Sequence, residues 1–108
     1  MPSAFAVRAF LARLAASVES SRVRITWKAE DEMALLGWSV EDVLAQLAAL
    51  EPAELLRTEP ARSAEFELIW VFCPLVWEVD QHLWIRVAEN VDGTVVISFH
   101  LAERDPWT

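Results

Sequence analysis

The sequence predicts an α+β fold, a small antiparallel β-sheet with three or so helices packed on one face. Three observations carry that expectation. Apolar residues recur at helical spacing through most of the first half of the chain, they alternate with polar ones in the last third, and only two glycines interrupt the 108 residues. A 55% hydrophobic content suffices for one core, so residues 1–108 are expected to form a single domain.

Ser3 can cap a first helix whose Val7, Phe10, Leu11, Leu14 and Val18 make one apolar stripe, fading at Glu19-Ser20-Ser21. Val23, Ile25 and Trp27 then alternate with Arg24 and Thr26, which reads as a short strand with Arg24 on its polar side. Ala29 to Leu36 suits a short acidic helix stopped by Gly37, its Glu30-Asp31-Glu32 run complementing the helix dipole as a solvated start. Ser39 with Asp42 approximates a capping box for the next helix, in which Val40, Val43, Leu44, Leu47 and Leu50 face inward. Pro52 can open a further helical turn through Leu56.

Thr58 to Ser63, with Pro60 inside, has no periodic apolar pattern and is read as a mobile loop. Glu65 to Cys73 follows as a strand ended by Pro74. Its Phe66, Leu68, Trp70 and Phe72 share one face, and Ile69, Val71 and Cys73 on the other are apolar too, so it is expected to be central. Trp27 and Trp70 are assigned to the core.

The final hairpin is the most informative segment. Leu83, Ile85, Val87, Val95, Ile97 and Phe99 fall on a core face, leaving His82, Trp84, Arg86, Val96, Ser98 and His100 opposite. A two-residue Asp92-Gly93 turn would set Arg86 against Phe99 and split the apolar sets. A three-residue loop Val91-Asp92-Gly93, with Gly93 left-handed, instead pairs Arg86 with Ser98 and Trp84 with His100.

These side chains suggest chemistry. His100 can exchange a proton near neutral pH, unless it is merely an exposed strand-end histidine. Arg86 can clamp a phosphate with its fork of donors, the plainer alternative being a surface ion pair with Glu67 or Glu89. Trp84 can stack on an unpaired base. Arg57, just before the loop, can reach over the sheet to the same surface. Asp80 and His82 lack a zinc-spaced cluster, and Cys73 has no cysteine partner, so no metal or cofactor is expected. Cys73 is expected to pack as a small hydrophobe in a reducing cytoplasm, and the first helix, broken by Arg8 and Arg13, suits neither a signal peptide nor a membrane span.

Net charge is −8, a balance unfavourable to nucleic acid, but it is unevenly placed. Residues 1–28 hold five basic groups against Glu19, giving +4, whereas residues 29–108 carry four basic and sixteen acidic groups, giving −12. A local basic patch is therefore compatible with the composition.

The ordered set Arg22-Val23-Arg24-Ile25-Thr26, Leu36-Gly37, Leu55-Leu56-Arg57, Trp70-Val71-Phe72-Cys73-Pro74, Leu83-Trp84-Ile85-Arg86 and Ile97-Ser98-Phe99-His100 resembles the MqsR family of bacterial toxins, from about Phe10 to Glu103. That family comprises endoribonucleases of type II toxin–antitoxin systems with a RelE-related α+β fold. The resemblance implies an mRNA-cleaving toxin neutralised by a cognate antitoxin, a helix-turn-helix DNA-binding protein being one form such a partner can take. It implies catalytic roles for His100, Arg86, Arg57 and Trp84, while Arg24, Ser98 and His82, placed by alternation on the polar strand faces, are read as RNA contacts.

Position by position, Arg57 stands where the family has a catalytic lysine and Trp84 where it has a tyrosine. His100 stands where it has lysine or histidine after Ser-Phe, and Arg86 where it has a basic residue. The family's reaction needs no metal, because the 2′-hydroxyl attacks the adjacent phosphate. Three positions depart from the pattern. Trp84 offers only an indole N–H, Ile69 replaces a glutamine, and Cys73 replaces a basic residue before Pro74. These departures and the acidic balance define the alternative, a catalytically degenerate module that binds a DNA-binding repressor or another basic protein through its negative surface.

Overall fold

The computed structural model describes all 108 residues, and in it three helices lie against one face of a six-stranded, mostly antiparallel sheet. Helix α1 spans Ala4–Glu19, with the Ser3 hydroxyl accepting from Ala6 N at its start. Strand β1 is Val23–Ile25, and α2 (Trp27–Leu36) begins at once with Thr26 as its N-cap. Gly37, at φ 73°, ends α2 in the left-handed region. Helix α3 (Val40–Ala48) carries the expected reciprocal cap between Ser39 and Asp42.

The remaining strands are β2 (Leu55–Pro60), β3 (Leu68–Phe72), β4 (Leu75–Val76), β5 (Gln81–Asn90) and β6 (Gly93–Leu101). The sheet order is β1-β6-β5-β3-β2, with β4 also paired to β5. Only β1 runs parallel to its neighbour, β6.

The main core lies between the helices and one sheet face. Phe10 stacks on Trp70 at 4.2 Å between ring centroids and lies 6.1 Å from Phe72, while Leu14, Met33, Val43 and Leu47 pack around Leu83, Ile85 and Phe99. Rigid rings held face to face fix how α1 crosses the central strands. On the other face Ile69, Val71 and Cys73 form a small second cluster beneath Leu56, Trp84 and Ile97, so β3 is covered on both sides as expected.

Several sequence expectations are corrected. The helical turn after Pro52 is only the 3-10 segment Pro52–Glu54, and Leu55–Pro60 is an edge strand where the sequence suggested a turn and then a mobile loop. Proline is tolerated at the end of an edge strand because no ladder bond is lost there. Strand β3 ends at Phe72, ahead of Pro74 as expected, and pairing with β5 resumes in the separate strand β4. Phe72 opposes Ile85 and Leu75 opposes His82, the same register on either side of the interruption. Trp70 is in the core, but Trp27 is 87% exposed, because the chain leaves the sheet at Thr26 to start α2.

The β5–β6 hairpin reaches the expected pairing by another route. Its loop has two residues, Val91-Asp92, between the paired Asn90 and Gly93. A bulge at Ile97 then shifts the register, so that Val87 opposes Val96 but Arg86 opposes Ser98. Val96 and Ile97 consequently exchange faces relative to strict alternation, Val96 entering the main core and Ile97 the smaller cluster. Thr26 fastens the bulge. Its N–H donates to Val96 O at 3.1 Å and its hydroxyl to Ile97 O at 3.0 Å. Gly93 is required by a φ of 139° and by the Arg22 carbonyl oxygen, which a Cβ would meet at 2.2 Å.

Candidate functional site

The sheet face away from the main core carries an open hollow of about 1030 Å³. Arg24, Trp84, Arg86, Ser98 and His100 all line it, which brings five of the seven sequence-predicted site residues to one surface. The hairpin register is the cause. Trp84 lies directly opposite His100 and Arg86 opposite Ser98, so the two pairs are consecutive on one face of β5 and β6.

Arg57 does not line the hollow but approaches it from edge strand β2, its guanidinium carbon 5.3 Å from the Trp84 ring centroid. His82 lies elsewhere. Its Nδ1 is 2.9 Å from Cys73 O, its Nε2 is 3.8 Å from Asp105, and it lines a separate hollow of about 260 Å³ near the C-terminus. The structure therefore separates His82 from the surface to which sequence alternation assigned it.

Glu59 organises the arginines. Oε2 accepts from Arg57 Nε at 2.9 Å, and Oε1 accepts from Arg86 Nε at 3.2 Å and Nη2 at 3.1 Å. Burial raises the Glu59 carboxyl, but hydrogen bonds from Arg57 and the charge and hydrogen bonds of Arg86 outweigh it and hold the group below its ordinary value. Arg86 thus forms an ion pair, with Glu59 and not with the Glu67 or Glu89 that sequence proximity suggested. Glu89 pairs with Arg13.

The segment joining β2 to β3 lies along the hollow. Glu65 within it accepts from Arg24 at 2.6 Å and from Asn90 Nδ2 at 2.7 Å, tying the segment to β1 and to the end of β5.

A second cluster borders His100. Beyond Ile25, β6 has no strand partner on its outer edge, and α2 takes that place. Glu32 Oε1 accepts the Phe99 backbone N–H at 3.1 Å. Lys28, one turn earlier, is 3.3 Å from both Glu32 oxygens and donates to the buried Ser98 hydroxyl at 2.7 Å. Glu32 Oε2 lies 3.8 Å from His100 Nε2. On its other side, His100 Nδ1 is 2.9 Å from Leu101 O; a carbonyl only accepts, so Nδ1 carries a proton and Nε2 is left to exchange one.

Sequence reading missed Glu59, Glu65, Lys28 and Glu32. The spacing of Lys28 and Glu32, four apart on a helix, was a usable signal for their ion pair, although not for its position against β6. The hollow's lining holds four basic side chains, Arg24, Lys28, Arg62 and Arg86, against the carboxylates of Glu59 and Glu65. A locally basic surface therefore sits on a chain of net charge −8.

No three His, Cys, Asp or Glu side chains converge as a metal-ligand set. Cys73 is buried in the small cluster, and burial pushes its thiol up to about 11 against the opposing charge of Arg57. It is placed as a small hydrophobe. No helix is long and apolar enough to cross a membrane. Compared with known proteins, the sequence matches no family model and no curated protein.

Proposed function

We propose that this chain is a metal-independent endoribonuclease toxin of the MqsR and RelE kind, acting on mRNA in the cytoplasm and neutralised by a cognate antitoxin. The observation that carries this reading is the opposition of Trp84 and His100 beside the Arg86–Ser98 pair, with His100 Nε2 unencumbered by the Leu101 carbonyl.

RNA cleavage of this kind forms a bond from the 2′-oxygen to phosphorus and breaks the bond from phosphorus to the 5′-oxygen. His100 Nε2 takes the 2′-hydroxyl proton, a solvent proton goes to the leaving 5′-oxygen, and cations stabilise the charge that builds on the phosphoryl oxygens. Trp84 provides a stacking face for an unpaired base and Arg24 a contact for a neighbouring phosphate. Arg57 and Arg86 both turn their Nε–Nη2 edges to Glu59, so RNA that takes those edges exchanges one anion for another.

The experiment is expression of wild type and of Arg57→Ala, Arg86→Ala and His100→Ala, each checked for folding. Each substitution is expected to relieve growth arrest; full toxicity in all three removes the site assignment. The engagement of both arginines by Glu59 favours one second reading, a non-catalytic module that binds a basic repressor. Cleavage of RNA by substoichiometric protein excludes that reading.

A further inference from the structure

Arg86 and Arg57 are both paired with Glu59, whereas the cation that shares the Glu32 carboxylate with His100 comes from outside the strands. Lys28 lines the same hollow, its ammonium 2.7 Å from Ser98 Oγ, and Ser98 lies two residues from His100 on the same face of β6. Ser98 is 1% exposed, while the Lys28 side chain is 60% exposed and lines the hollow, so a buried hydroxyl holds the ammonium of a side chain that solvent reaches. Glu32 fixes this arrangement. One carboxylate joins the Phe99 N–H, the Lys28 ammonium and the vicinity of His100 Nε2.

We propose that Lys28 is the cation that contacts the reacting phosphate, and that Glu32 is the positioning residue that sets Lys28 and His100 against it. This rests on the ribonuclease reading and adds to it a catalytic side chain from α2. An ammonium is a compact charge that suits a phosphoryl oxygen without bidentate geometry. Its hydrogen bond to a buried hydroxyl fixes it before substrate arrives, which is the condition under which such a charge stabilises a transition state more than a ground state. Glu32 is tied to the β6 backbone, so the distance between cation and imidazole is set by the sheet and not by a loop.

The test compares wild type with Lys28→Ala, Lys28→Arg, Glu32→Gln and Arg8→Ala, the last removing a cation from the exposed face of helix α1. Two readouts are taken: kcat and KM on a cleavable RNA, and affinity for the same oligonucleotide with a 2′-deoxy residue at the cleavage site. Lys28→Ala is expected to lower kcat about 100-fold. Lys28→Arg is expected to recover about tenfold of that loss, and Arg8→Ala to change nothing. Glu32→Gln keeps an oxygen for the Phe99 N–H, and it is expected to lower kcat with KM and unfolding temperature unchanged.

Wild-type cleavage that Lys28→Ala leaves intact overturns the role of Lys28 while the ribonuclease reading stands. An unchanged kcat in Glu32→Gln overturns the positioning role. If wild type does not cleave, the ribonuclease reading fails and the reacting-phosphate role of Lys28 fails with it. The deoxy-oligonucleotide then reports the remaining phosphate contact: weaker binding by Lys28→Ala supports that contact, and equal binding overturns it too.

Discussion

Arg86 reaches from β5 across β3 to the Glu59 carboxylate on β2, placing Nε 3.2 Å and Nη2 3.1 Å from Oε1. The carboxylate thereby occupies the fork that a phosphate would take, and it holds Arg57 with its other oxygen. Glu59→Gln is expected to tighten RNA binding several-fold and to steepen the dependence of log affinity on log salt by about 0.7 for each further phosphate that the freed arginines neutralise. Fluorescence titration at several salt concentrations checks it, and an unchanged slope contradicts competition between Glu59 and phosphate.

The same carboxyl gives a pH dependence with a definite sign. Its folded-state value is depressed below the ordinary 4.5, so the folded chain binds fewer protons than the unfolded one in that window. The stabilisation is present above the unfolded value and is lost as pH falls through the lower folded value. The stability difference between wild type and Glu59→Gln is therefore expected to shrink on acidification below about pH 4.5, as read from urea unfolding at a series of pH values. A difference that grows on acidification contradicts the assignment.

Two glycines with positive φ are expected to respond differently to alanine. At Gly37 nothing lies within 4 Å of an added Cβ, so Gly37→Ala meets only the backbone penalty of about 1 kcal/mol. At Gly93 the Cβ meets the Arg22 carbonyl oxygen at 2.2 Å, where the loss is expected to reach about 3 kcal/mol. Denaturant midpoints compare the two, and equal losses contradict the close approach of β1 to β6.

Cys73 is expected to resist alkylation in the folded protein at neutral pH, because burial raises its thiol to about 11 and closes access to it. Full reaction is expected once denaturant unfolds the chain. Mass spectrometry of iodoacetamide-treated samples separates the two states, and rapid native-state labelling contradicts the buried placement.

The helices were legible because their signals are local. Ser3, Gly37 and the Ser39–Asp42 pair each act within one turn of the residue that carries them. The Trp84–His100 and Arg86–Ser98 pairs were legible from the need to keep two apolar sets on one face, yet the turn was not. The register is corrected by a bulge whose fastening residue, Thr26, lies 71 positions from Ile97 in the chain. Strand β2 was hidden for a similar reason. Arg57 and Glu59 alternate properly, but Pro60 and the charged residues carry no apolar period, and only pairing with β3 makes the segment a strand.

The candidate site was half legible. Side chains on the hairpin were grouped by periodicity, whereas Lys28, Glu32 and Glu59 reach the hollow through contacts between elements distant in sequence. Trp27 shows the limit of alternation from the other side. Its position continues the period of Val23 and Ile25, but a helix cap at Thr26 intervenes and turns the indole out to solvent.

The most direct test of the central claim is incubation of antitoxin-free protein with a diverse RNA pool in EDTA, beside His100→Ala, with the new RNA ends mapped by sequencing. Discrete cuts by wild type that vanish in the variant are the expected result, and they establish metal-independent cleavage dependent on His100. An uncut pool with folded wild-type protein, or cuts that persist in the variant, contradicts the account.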